Sequence, residues 1–420
     1  MRVQLIASAV AALAATVLAA PRPDTHVLHE KRNGEPHMWT KRAKAHAEDI
    51  VPVRIGLTQS NLHNAQQYLM DVSHPSSPNF GKHWSAEKVA NTFAPARETV
   101  DKVTKWVVDS GIGEHRISHA TGRNWLQFDA SIAEAERLFN TKYFVYEHKV
   151  ENGVRVACDE YHLPRDIREH VDFAMPTIQL DGLKPIAQAH PASIKETPMA
   201  GLTGLSNCSQ LITIECLRAI YKFQALNLSD PTNKMGIAEW ADYLYLPDLD
   251  PFFENLTDPQ IPAGTRPDFI SIDGGKPSNL TVAKAEEVVE SALDFQTAYS
   301  IIYPQGLRLY QNGDSVNVDS VGTFNIFLDA LDASYCTYEG GNQPYVDPAY
   351  PDPNEGGYTG PLQCGGAPLS NVFSVSYGQI EGALPEFYQR RQCNEWMKLG
   401  LQGTSVVFAS GDSGVANRYK

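Results

Sequence analysis

Ser405-Val406-Val407-Phe408-Ala409-Ser410-Gly411-Asp412-Ser413-Gly414 reads as an apolar strand ending on a Gly-flanked turn that lifts one carboxylate, Asp412, off its end. Working outward, Leu384 to Leu399 has helical character with Gly403 as its stop, and Asn371 to Ser376 reads as the preceding strand. Strand, helix, strand in that order implies parallel pairing through a right-handed crossover. Ligand sites in such sheets lie at the carboxyl ends of the strands, where Asp412 falls. Further upstream, Lys234 to Glu239 and Asp268 to Ile272 read as buried strands of the same α/β unit, and Asp273-Gly274-Gly275 as a tight turn near the cleft wall.

A second acidic element precedes these. In Val289-Glu290-Ser291-Ala292-Leu293-Asp294-Phe295-Gln296, within a helix read over 283–302, Glu290 and Asp294 stand four residues apart. Both carboxylates therefore leave one helix face, one turn apart. Most Glu-x-x-x-Asp pairs belong to a solvated face; a buried pair, which the apolar neighbours here favour, would share a proton and suit a general base working in acid.

The bulk numbers fit an exported globular protein. The 420 residues suffice for two or three domains, and 42% hydrophobic with 20% charged residues is ordinary. A net charge of −14 argues against nucleic acid or an anionic membrane as partner. Residues 1–19 read as a signal peptide: Arg2, an apolar run from Leu5 to Leu18, and small residues before a cut after Ala19. No later segment approaches a spanning length, so the expectation is a secreted, soluble protein. Six cysteines in an oxidising compartment allow bridges; Cys208 and Cys216, flanking a seven-residue gap, are the first choice, Cys336 and Cys364 the second, with Cys158 and Cys393 left unpaired. Asn207, Asn227, Asn255 and Asn279 open glycosylation sequons. No Cys-x-x-Cys spacing points to a metal.

Residues 20–50 read as linker with two dibasic pairs, Lys31-Arg32 and Lys41-Arg42. From 51 to 180 strands and helices interleave as a compact α+β domain: a strand at Val51–Leu57, helices from Asn61, Ser85 and Ala96, a strand at Trp125–Phe128, and Ser131 with Glu134 as a capping box. Residues 181–205 form a Pro- and Ala-rich linker suited to processing, and 206–420 form the α/β unit. His74, His83, His115, His119 and His162 are candidate acid sensors, and Asp329 and Asp332 are read on a helix surface.

Several segments together resemble the sedolisins, the serine-carboxyl peptidases that include kumamolisin and the tripeptidyl peptidases, in a fungal secreted form. Ser76-Ser77-Pro78-Asn79-Phe80-Gly81-Lys82-His83-Trp84-Ser85 and Cys158-Asp159-Glu160-Tyr161-His162-Leu163-Pro164 are similar to the family's activation prodomain. Ile214 to Tyr221 is similar to the opening of its catalytic domain, Glu290 and Asp294 to its acid pair, and Ser410 to Gly414 to its oxyanion turn. The resemblance implies a ferredoxin-like α+β prodomain followed by the N-terminal part of a subtilisin-like parallel-sheet domain. It implies Glu290 as general base, Asp294 as its partner and a protonated Asp412 as oxyanion donor. It also implies peptide substrates, the prodomain as intramolecular inhibitor, and calcium.

The family's nucleophile lies in a Ser-Gly-Thr-Ser motif downstream of the oxyanion aspartate, which residues 1–420 do not contain. Gly403-Thr404-Ser405 precedes Asp412 and opens a strand, so it is rejected. Ser413 in Gly-Asp-Ser-Gly would suit a chymotrypsin-like site, but that fold is all-β. The expectation is thus an acid peptidase zymogen whose chain, as written, stops before its serine and calcium ligands and is inactive alone. The alternative is a non-catalytic secreted protein that binds peptides or a full-length relative.

Overall fold

The computed structural model describes residues 26–32, 39–119, 124–149, 154–178, 180, 205–210, 212–225, 227–240, 242–257, 260–278, 289–313, 323–332, 358–361, 363, 365–378 and 386–411. The first unit contains β1 (His26–Lys31), β2 (Trp39–Lys44), β3 (Ile50–Leu57), α1 (Ala65–Ser73), α2 (Ala86–Phe93), α3 (Arg97–Asp109), β4 (Ser118–His119), β5 (Trp125–Ser131), α4 (Ile132–Leu138), β6 (Phe144–His148), β7 (Val154–Ala157), β8 (Glu160–Pro164) and β9 (Val171–Met175). Its main sheet has the order β4-β5-β3-β9, all antiparallel. With α3 between β3 and β4, and α4 between β5 and β9, this is the ferredoxin-like arrangement.

Alternation along β3 and β5 gives that sheet two apolar faces. Val53, Ile55, Leu126 and Phe128 share a core with Val103 and Val107 of α3 and Ala135 and Leu138 of α4. The opposite face offers Trp125, Phe173 and Met175 to the second unit. The α4 start is a complete capping box: Ser131 Oγ accepts from Glu134 N at 3.2 Å, and Ser131 N donates to Glu134 Oε2 at 2.8 Å.

The stretch expected to be linker, 20–50, carries β1 and β2. β1 pairs with β8, and β2 with β6. Arg32 explains how so polar a stretch is held: it donates to Ile178 O at 2.9 Å, Cys158 O at 2.6 Å and Asp159 Oδ1 at 2.9 Å. One half of the dibasic pair Lys31-Arg32 is therefore a structural tie between the two ends of the unit.

The second unit contains α5 (Ile214–Tyr221), β10 (Met235–Trp240), α6 (Leu249–Leu256), β11 (Asp268–Ile272), α7 (Glu290–Ile302), β12 (Leu307–Asn312), α8 (Thr323–Asp332), β13 (Val372–Val375), α9 (Glu386–Leu401) and β14 (Ser405–Phe408). The strands form one parallel sheet, ordered β11-β12-β10-β13-β14. Ile237 and Leu309 face Phe253 of α6 and Phe295 and Tyr299 of α7. Their neighbours Ala238 and Tyr310 face Phe327 of α8 and Leu399 of α9. Helices thus cover both faces, as a parallel sheet requires.

The two units share a buried boundary. Trp125, Phe173 and Met175 pack with Phe324, Phe327 and Leu331 of α8. Val72, Val89 and Phe93 of α1 and α2 pack with Leu401 of α9. Gly403, at φ +96°, ends α9 where a Cβ would lie 2.8 Å from the His83 ring, so both its conformation and its contact require glycine. Asp329, read as a surface residue, is buried because α8 is enclosed between the sheet and the first unit.

Candidate active site

All five parallel strands present their carboxyl ends at one edge, and the first turn of α7 meets that edge. Glu290 and Asp294 lie on α7, one turn apart as their spacing requires. Glu290 is half-buried. Asp294 accepts Ser376 Oγ at both carboxylate oxygens, at 2.9 and 2.7 Å. Ser376 follows directly on β13, so the sheet itself aims this hydroxyl.

Two further acids, neither singled out in the sequence, complete the group. Glu239, near the end of β10, is fully buried and accepts Tyr377 Oη at 2.8 Å. Burial first, and then the charge of Asp294, push its carboxyl well above the usual carboxylate range. Asp242 lies just past β10 and accepts, at Oδ2, the backbone N–H of Glu290 at 2.8 Å and of Ser291 at 3.2 Å. Burial raises its pKa as well, opposed by the N–H groups of Tyr243, Ser291 and Glu290. Asp294 is raised by burial, opposed by the Ser376 hydroxyl. Two buried polar side chains of β12 brace the cluster: Gln311 donates to Asp242 O at 3.0 Å and Asn312 to Glu239 O at 3.1 Å. The only signal in sequence was that strand Lys234–Glu239 ends on an acid; the partners lie 48 or more residues further along the chain and are invisible locally.

Such a cluster holds protons. Carboxyls that share a dry site cannot all ionise, so some stay neutral while another acts as a base. Asp412 lies outside the described residues. The strand leading to it is placed: Ala409 N donates to Val375 O at 3.0 Å, beside Ser376, and Gly411 turns at φ +84°. Asn279, Cys336, Cys364, the signal segment 1–19 and most of the 181–205 linker also lie outside the described residues.

Other expectations fall elsewhere. Cys208 and Cys216 form a disulfide, while Cys158 and Cys393 are free thiols. Asn227 and Asn255 are exposed, and Asn207 lies in a 3-10 turn, Leu205–Asn207. Among the described residues no group of three or more His, Cys, Asp or Glu could hold a metal ion. No helix among them is long and apolar enough to cross a membrane.

Residues 37–180 match the family model described as the pro-kumamolisin activation domain. Aorsin of Aspergillus oryzae is 43% identical over 421 residues, covering 95% of this chain and 64% of its own length. Tripeptidyl-peptidase sed1 of Aspergillus fumigatus is 42% identical over 426 residues, covering 97% and 65%. Tripeptidyl-peptidase SED1 of Arthroderma otae is 36% identical over 431 residues, covering 93% and 62%. The chain thus spans slightly less than two thirds of the length of each of these relatives.

Proposed function

We propose that this chain, whose residues 37–180 match the pro-kumamolisin activation domain, belongs to the sedolisin family and is the zymogen form of a secreted acid peptidase. The observation that carries the reading is the Glu290–Asp294 pair at the sheet's carboxyl edge, backed by buried Glu239 and held by Ser376. Glu290 takes the proton of an attacking serine and returns it to the leaving amine. Asp294 orients Glu290 and carries part of its charge. Asp412, protonated, donates to the tetrahedral oxyanion, which ties the chemistry to acid. The attacking hydroxyl belongs to a Ser-Gly-Thr-Ser segment, a motif not among residues 1–420. The first unit is the intramolecular inhibitor, seated on α8 and α9.

The test is direct. The secreted product is acidified and offered two peptides, one with a free and one with a blocked amino terminus. Release of tripeptides from the free peptide alone makes it an exopeptidase; cleavage of both makes it an endopeptidase. Glu290→Gln should lower kcat about 10²- to 10⁴-fold. Unchanged turnover in that variant removes Glu290 from the role given to it.

A further inference from the structure

We infer that Asp242 is the positioning residue of this acid centre: its carboxylate grips the first turn of α7 and so fixes where the Glu290 side chain stands. The inference rests on the peptidase reading above and extends it to a residue outside the Glu290–Asp294 pair.

The argument starts from the helix end. An α-helix leaves its first amides without partners inside the helix, and a side-chain oxygen at the residue before it usually accepts one of them. Here that residue is Val289, which has no such oxygen. The acceptor comes instead from 48 residues upstream: Asp242 Oδ2 takes both Glu290 N at 2.8 Å and Ser291 N at 3.2 Å. Its charge also complements the positive end of the helix dipole.

Asp242 is itself held. Its Oδ1 accepts Tyr243 N at 2.6 Å, and its backbone carbonyl accepts Gln311 Nε2 at 3.0 Å. Gln311 and Asp242 are both more than nine-tenths buried. A rigid line therefore runs from β12 through Asp242 to the backbone of Glu290. A frayed first turn would displace the base before anything else, because Glu290 is the first helical residue.

The carboxylate also sets the charge balance. The ionisable groups that feel its charge are Glu239 on β10, Asp294 on α7 and Tyr377 beyond β13, while Glu290 and Tyr243 meet it through their backbone N–H groups. Its negative charge disfavours ionisation of Glu239 and Asp294. Replacing it by a neutral isostere makes Glu239 and Asp294 easier to ionise.

The experiment uses the secreted full-length protein with Asp242→Ala and Asp242→Asn, measuring kcat, KM, thermal midpoint and the pH profile of kcat. Asp242→Ala should lose about 10- to 100-fold in kcat with KM nearly unchanged, the cost of a displaced base. Asp242→Asn keeps an acceptor oxygen; it should recover part of kcat and move the acid limb to lower pH. A lowered midpoint with kcat and acid limb at wild-type values means the cap serves the fold alone, and overturns the inference. If Asp242→Ala is not secreted, the acid limb of Asp242→Asn decides in the same way. Wild-type protein that cleaves no peptide in acid overturns the peptidase reading itself, and with it the role of Asp242.

Discussion

Arg391 and Asp172, 219 residues apart, meet across the boundary between the two units, with Arg391 Nη1 3.1 Å from Asp172 Oδ2. The same guanidinium lies 4.5 Å from the centroid of the Trp125 ring and donates to Leu57 O at 3.2 Å. Burial raises the Asp172 pKa more than Arg391 lowers it. A carboxyl whose folded pKa is raised adds stability below its unfolded pKa and loses it as pH rises through the folded one. Acid titration of Asp172 therefore tightens the docked state.

Arg391→Ala follows from that sign. It strips Asp172 of its partner in a mostly dry site and removes the packing on Trp125. The expected cost is about 3 kcal/mol at neutral pH. The deficit should shrink in acid, where Asp172 takes up a proton. Urea unfolding at pH 7 and in acid checks this; a deficit that grows as pH falls contradicts it.

Where a feature depended on neighbours in sequence, it was legible. The Ser131–Glu134 capping box and the Glu290–Asp294 spacing are both one-turn relationships, and both are found as read. β12 was missed although it is central to the sheet. Its Arg308, Gln311 and Asn312 break the apolar run that marks a buried strand. Gln311 and Asn312 are there because the strand's carboxyl end supplies hydrogen bonds to the site, whereas Arg308, near its start, donates to Leu369 O at 2.8 Å. Glu239 and Asp242 were passed over for a related reason: only the parallel register brings them to Glu290, and no local period records that.

His29 and Glu30, adjacent on β1, carry opposite pH signatures. Burial lowers His29 from 6.5 to about 4, and burial raises Glu30 from 4.5 to about 7, despite the Tyr161 hydroxyl donating to it at 2.6 Å. For His29, the stability present above 6.5 is lost as pH falls toward 4. For Glu30, the stability present below 4.5 is lost as pH rises through 7. Each effect is worth about 3 kcal/mol, so together they nearly cancel. Glu30→Gln should leave a first unit that weakens as pH falls from 6.5 to 4. His29→Gln should leave one that strengthens as pH falls from 7 to 4.5. Thermal midpoints of the two variants across that range should slope in opposite directions; parallel slopes refute the pairing.

Ser376 supplies the last prediction, because its effect on the acid pair is opposite in sign to that of Asp242. The Ser376 hydroxyl donates to both oxygens of Asp294 and favours its ionised form, whereas the Asp242 charge disfavours it. Ser376→Ala removes a hydrogen bond to a charged group, worth about 1.5 kcal/mol or more. In the proposed peptidase, kcat should fall about tenfold or more on that account. Without the hydroxyl Asp294 holds its proton to higher pH, so the acid limb of the kcat profile should move up. Ser376→Thr keeps the hydroxyl and should restore both. A limb that moves down, or that stays fixed while kcat falls, would mean that Ser376 only fills space beside Asp294.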